Sequence, residues 1–163
     1  TGNTATGVAG VGTDTNVFKL LNGLSLRGRC DLYLPTAGTA LQDYTCRVGY
    51  MDSFTATPNN GYYFEYNYNV NGGNWQLIQM DAGSPTMLDS GWGLAVANYQ
   101  GLEIFTSNDV VDFYYSGVSV GQLTGYLSFG VGFGASIIKS VGTTSRYFEI
   151  DLAYTASTGA AVY

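Results

Sequence analysis

Glu149 and Asp151 stand two residues apart in the segment Arg146–Thr155. Side chains alternate across an extended strand, so both carboxylates project from one face. Paired carboxylates can hydrolyse glycosidic bonds, and a retaining mechanism holds them about 5–5.5 Å apart. A distant acid such as Glu65 or Glu103 would have to complete such a site. The simpler reading is a pair of solvated acids on an exposed sheet face. Nucleophilic catalysis has less support. The chain has no His to act as base, and no G-x-S-x-G elbow occurs. Cys30 and Cys46 fall on an apolar face without a base nearby, which disfavours a reactive thiolate. No catalytic residue is assigned, and the protein is expected not to be an enzyme.

Metal chemistry is similarly thin. Ser107, Asn108, Asp109 and Asp112 form the densest oxygen cluster, with Asn108, Asp109 and Asp112 the candidates for Ca2+. Hard cations take six or more oxygens, so four side chains in a turn suit an ordinary turn better, and no cofactor is expected. The aromatic residues suggest more. Sugar rings present apolar C–H faces that pack on Tyr and Trp, while polar neighbours set their orientation. Tyr33, Tyr63, Tyr114 and Tyr147 read as outward-facing, and Trp92 sits between glycines. Tyr63, Glu65 and Asn67 would form a sugar platform on one strand face. The candidate carbohydrate-binding set is Tyr63, Glu65, Asn67, Trp92, Tyr114 and Tyr147. Such aromatics would equally suit a subunit interface, and Trp75 reads as core.

The elements that would position these groups are strands. In Leu24–Leu34, alternate residues Leu24, Leu26, Gly28, Cys30, Leu32 and Leu34 share one face, opposite Arg27, Arg29, Asp31 and Tyr33. In Tyr44–Met51 the apolar face carries Tyr44, Cys46, Val48 and Tyr50. Folding the two about Pro35–Ala40 predicts a hairpin that sets Leu32 beside Tyr44 and Cys30 beside Cys46. The cysteines are then a cross-strand disulfide or two buried thiols, and the strain of bridging directly opposed strand residues weighs toward thiols. Further strands are predicted over Gly61–Asn67, Asn74–Met80, Thr86–Val96, Gly101–Thr106 and Val110–Tyr115. Tyr126–Lys139 reads as a strand bent at its glycines, and Arg146–Thr155 as a last strand with Phe148, Ile150, Leu152 and Tyr154 inward. About ten strands without a helix argue for an all-β, two-sheet antiparallel sandwich or jelly roll. Residues 16–155 would form it, between a flexible glycine-rich arm over 1–15 and a tail over 156–163.

Composition sets outer limits. The chain has 163 residues, enough for one domain, with 23 Gly, 14 Tyr and 11% charged residues. That aromatic content argues against disorder. Net charge is −6 with six basic residues, which leaves no basic footprint for nucleic acid. No apolar run reaches the roughly eighteen residues of a membrane-spanning helix. Without an initiator Met or a signal-peptide pattern, the chain reads as processed or excised.

Several segments in order suggest a family. They are VGYMDS (Val48–Ser53), GYYFEYN (Gly61–Asn67), NWQL (Asn74–Leu77), GLEI (Gly101–Ile104), VDFYYSG (Val111–Gly117) and GASIIKSVGTTSRYFEIDLAY (Gly134–Tyr154). Together they resemble the concanavalin-A-like jelly-roll domains of bacteriophage tail-fibre, head-fibre and other virion proteins, over roughly Leu24–Tyr154. Ser116 replaces an Asp of that pattern, and Ser90–Gly93 looks like an added bulge. Laminarinase-type glycosidases share the fold class and use a Glu-x-Asp-x-x-Glu strand. Here the final acid is missing, with Ala153 and Tyr154 near its place.

The resemblance implies a virion structural protein that attaches to host-surface glycan. A decoration or assembly module, joined to other virion proteins by its terminal arms, is the alternative, and a glycoside hydrolase a more distant one. It also implies a homo-oligomer, a trimer by analogy with fibres, located on the extracellular particle.

Overall fold

The computed structural model describes residues 6–15, 18–19, 25–125 and 129–158. Twelve strands and one short 3-10 turn, Asn71–Gly73, occur among them. In chain order the strands are β1 (Gly7–Gly12), β2 (Phe18–Lys19), β3 (Ser25–Tyr33), β4 (Tyr44–Met51), β5 (Gly61–Asn67) and β6 (Asn74–Asp81), then β7 (Ser84–Gly93), β8 (Gln100–Ser107), β9 (Val110–Tyr115), β10 (Val118–Thr124), β11 (Gly130–Lys139) and β12 (Glu149–Thr158). A seven-stranded sheet runs β1-β11-β4-β5-β6-β7, with β2 also beside β11. A five-stranded sheet runs β10-β9-β8-β3-β12. Every pairing is antiparallel. This is the expected two-sheet sandwich.

The expected hairpin between β3 and β4 does not form. Its face assignment holds: Leu26, Cys30 and Leu32 are buried, as are Tyr44, Cys46, Val48 and Tyr50. The pairing differs, because β3 lies between β8 and β12 while β4 lies between β11 and β5. Residues 34–43 carry the chain from one sheet to the other, so the two apolar faces meet across the core rather than side by side. A common apolar face fixes which side of a strand is buried, but not which neighbour it pairs with. Cys30 and Cys46 are therefore in different sheets, and both are free buried thiols.

The terminal segments also differ from expectation. Residues 7–12, assigned above to a flexible arm, pair with β11 in full register from Gly7↔Lys139 to Gly12↔Gly134. The last strand extends to Thr158, and the rest of the expected tail lies outside the described residues, as do 126–128 of the predicted Tyr126–Lys139 strand. Within β12 a bulge between Ile150 and Leu152 shifts the register. One extra residue reverses the alternation beyond it. Ile150 stays opposite Leu32 on the inner side, Ala153 comes opposite Cys30, and Tyr154 comes opposite Arg29 on the outer side. Tyr154 is thus exposed rather than inward.

The core is aromatic. Phe64 meets Phe113 edge-on at 5.2 Å and Trp75 at 6.2 Å, and Tyr50 meets Phe133 at 5.0 Å. Trp75 is fully buried as expected, and its indole N–H donates to Gln100 Oε1 at 3.0 Å. The same oxygen accepts from the Tyr115 hydroxyl at 3.0 Å and the Ala95 amide at 3.2 Å. Burial pushes the Cys30 thiol and the Tyr62 phenol up to about 12. It also raises Cys46, Tyr44, Tyr50 and Tyr63.

These groups are neutral when folded, but ionise from about pH 9 to 10 when unfolded. Their contribution to stability is complete below those values and lost as pH rises toward about 12. The urea midpoint should hold steady from about pH 6 to 8 and fall above about 9. A late rise in tyrosinate absorbance should coincide with loss of the β-sheet circular dichroism signal. Full ionisation of all tyrosines in a chain that stays folded would contradict this.

Candidate functional site

The two outward sheet faces are not alike. On the seven-stranded sheet, Met51, Tyr63, Ile78 and Met80 point away from the core yet are buried, with Phe54 packed against them. Phe54 belongs to the 52–60 loop, which folds back over the sheet. The Asp52 carboxylate fastens the loop by accepting from the Asn59 amide at 3.0 Å and Asn60 Nδ2 at 2.8 Å. Glycine makes room for it. A Cβ on Gly12 or Gly134 would lie 2.6 or 2.9 Å from the Phe54 ring.

Tyr63 is only 1% exposed, and its hydroxyl lies against Arg47. The Arg47 Nε donates to Glu65 Oε2 at 2.7 Å, and Asn67 Nδ2 donates to Thr45 Oγ1 at 3.0 Å. The expected platform of Tyr63, Glu65 and Asn67 is therefore sequence-contiguous but committed to packing. Its tyrosine face is unavailable because the chain's own loop covers that part of the sheet. Arg47 Nη1 and Ser136 Oγ, on directly opposed residues, are buried without a hydrogen-bond partner among the described residues.

The five-stranded sheet presents a different surface. Its register lines up Ser119, Tyr114, Glu103, Arg29 and Tyr154 in one row across all five strands. The next row holds Gln122, Asp112, Phe105, Arg27 and Ala156. The Arg27 Nε donates to Glu103 at 2.7 Å. Arg29 donates to both Asp31 oxygens, at 2.8 and 3.2 Å. These hydrogen bonds and charges hold both guanidiniums above their ordinary range. Gly101 stands opposite Asp31 and leaves room for that pair, since a Cβ there would lie 3.1 Å from Arg29 Nη2.

A depression of about 390 Å³ opens on this face, lined by Arg27, Arg29, Glu103, Phe105, Tyr114 and Gly117. Strands lie about 4.8 Å apart, so Tyr114 and Tyr154 stand three spacings, roughly 14 Å, from each other. The arrangement sets charged donors and acceptors between two aromatic side chains. At one end of the sheet, Tyr99 meets Tyr33 at 5.5 Å, and its hydroxyl donates to Glu149 at 3.3 Å.

The structure does not gather the other candidates here. Trp92 is 44% exposed but stacks on Tyr115 at 5.1 Å, on the inner side of β9, opposite in sense to Tyr114. Tyr147 is exposed in the segment before β12, and Glu149 pairs with Tyr33 at that strand's start. Asn108 takes a left-handed φ of 53° in the β8–β9 turn, and Asp112 accepts from Gln122 Nε2 at 2.8 Å. Among the described residues, no group of three or more His, Cys, Asp or Glu side chains could hold a metal ion.

Arg27 and Arg29 already lay on the outward face of the sequence pattern, but nothing there singled them out. Tyr154 was hidden by the bulge, and Tyr99 lies in a connection without periodicity.

Residues 1–151 match the family model described as SO2946-like, C-terminal domain. The chain belongs to this family. No curated protein matches the sequence. Among solved structures, the chain is similar to the alginate lyase AlyC3, with TM-score 0.65 and 8% identity, over 91% of this chain and 70% of that one. It is similar to the carbohydrate recognition domain of Emp47p, with TM-score 0.62 and 10% identity, over 95% and 88% of the two chains. The carbohydrate-binding module CBM66 from Bacillus subtilis gives TM-score 0.54 and 11% identity, over 93% and 95%. At such identities these likenesses establish the concanavalin-A-like sandwich and leave the ligand to the site itself.

If Glu65 is structural, its loss should be felt in folding. Glu65→Ala leaves the Arg47 guanidinium, 9% exposed, buried without its carboxylate. We expect a loss of about 3 kcal/mol in urea denaturation. An unchanged midpoint would return Glu65 to the list of ligand contacts.

Proposed function

We propose that this domain is a lectin-like module that binds glycan through the outer face of its five-stranded sheet. The observation that carries this is the cross-strand row Tyr114–Glu103–Arg29–Tyr154 beside the Arg27-lined depression. Aromatic side chains offer flat apolar area to sugar C–H faces. The polar groups between them can orient hydroxyls, and the register holds them on rigid strands rather than on loops.

Binding without cleavage suits the acids present. Each of the three glutamates is engaged: Glu65 with Arg47, Glu103 with Arg27, and Glu149 with Tyr99. Asp151 falls in the β12 bulge, so the strand pairing that would keep it regularly in step with Glu149 is interrupted there. The motif resemblance to phage fibre domains supports placing the module on a virion surface, where it would attach the particle to host-surface glycan. The decoration alternative joins neighbours through both terminal arms, and of these residues 7–12 pair within the domain's own sheet, which favours attachment over decoration.

Tyr114→Ala and Tyr154→Ala should each weaken binding to a responsive glycan by about tenfold, leaving the melting temperature within a few degrees. Trp92→Ala should lower stability more than affinity. Unchanged affinity in both tyrosine variants would remove this face as the site. Electron cryo-microscopy of intact particles tests the setting separately. Copies at fibre ends or the tail tip support attachment, whereas copies tiling the capsid favour decoration.

A further inference from the structure

We infer that the five-stranded face selects neutral sugars over acidic ones, recognising vicinal hydroxyls through the paired charges of Arg27–Glu103 and Arg29–Asp31; this rests on the glycan-binding reading above. The charges on the face support it. Among the described residues the register places Arg27 and Arg29 outward, against Asp31, Glu103, Asp112 and Glu149, so two positive and four negative charges leave a net of −2, to which the exposed Asp151 of the β12 bulge adds no cation. Both cations are already paired, Arg27 at 2.7 Å and Arg29 at 2.8 Å. A uronate or sulfate arriving here would meet guanidiniums whose charge a carboxylate already balances, on a net negative surface. Burying its charge without a partner is costly.

Neutral diols fit the same groups. The Arg27 pair uses Nε, which leaves the guanidinium's Nη donors for a ligand. A carboxylate has about four acceptor positions, so Glu103 and Asp31 retain capacity beyond their arginines. A donor and an acceptor side by side match two adjacent hydroxyls, each of which both gives and accepts. Phe105 and Tyr114 line the same depression and supply apolar contact. Its volume, about 390 Å³, falls toward the small end of ligand pockets, roughly 300–1,000 Å³. It therefore suits a short glycan segment.

The test is calorimetric titration of the full chain with matched oligosaccharides: mannose against mannuronate, glucose against glucuronate, galactose against galacturonate. At least one neutral series should bind about tenfold or more tighter than its acidic counterpart. Its affinity should change less than about twofold between 20 and 300 mM salt, because no net charge is neutralised. Glu103→Gln keeps the shape but releases Arg27. It should weaken the neutral ligand and raise uronate affinity by about tenfold.

Tighter, salt-sensitive binding of a uronate to the native chain overturns the neutral preference and leaves glycan binding intact. A Glu103→Gln variant that folds but gains no uronate affinity overturns the role of the charge pairs. Failure of every neutral and acidic series to bind overturns glycan recognition itself, and this inference with it.

Discussion

Burying tyrosine is the constraint on which the rest of this sandwich depends. Tyr44, Tyr50, Tyr62, Tyr63, Tyr66 and Tyr115 are all at most 6% exposed. Each ring buries apolar area, Tyr63 under the 52–60 loop and the others in the core, and each hydroxyl must find a partner or forfeit its hydration. The fold meets this at the margins of the sheets. Tyr44 donates to the Thr36 carbonyl at 2.6 Å, Tyr66 accepts from the Gly38 amide at 2.9 Å, and Tyr62 donates to the Gly125 carbonyl at 2.6 Å. These bonds fix connections as well as the core. Thr36 and Gly38 lie in the stretch that takes β3 and β4 into different sheets. Tyr50 is the exception, with no partner for its hydroxyl among the described residues.

The same economy separates the two outward faces. The seven-stranded sheet buries part of its outer surface under its own 52–60 loop, because Gly12 and Gly134 leave room for Phe54. A buried Arg47–Glu65 pair there costs desolvation, which its 2.7 Å contact offsets. On the five-stranded sheet the arginines stay nearer solvent, Arg27 at 52% and Arg29 at 34% exposed against 9% for Arg47, while Glu103 is 10% exposed, so these pairs form at less cost and the guanidiniums keep donors in reach. Availability for recognition thus follows from which face the chain covers with itself.

The pattern of residues made much of this legible, and its misses share a cause. Alternation identified the inner faces of β3 and β4 correctly, and Trp75 as core. It misplaced Tyr154 because a single bulge reverses every later residue, and it offered Tyr63 as a platform because alternation cannot distinguish an outward residue from an uncovered one. Of the six candidate sugar contacts, only Tyr114 joins the row that the register assembles. Arg27, Arg29 and Glu103 are ordinary outward charges until strands distant in sequence bring them together.

The sequence by itself determined an all-β chain, the inward side of most strands and the absence of a basic surface. Those properties come from local alternation and composition, which need no partner strand to be expressed. Tertiary structure alone decided which strands pair, that Cys30 and Cys46 sit in opposite sheets, and which aromatics remain open to a ligand. Pairing in a sandwich is non-local: β3 is joined to β8 and β12, residues 26–32 meeting residues 100–106 on one side, and no period within β3 encodes that choice.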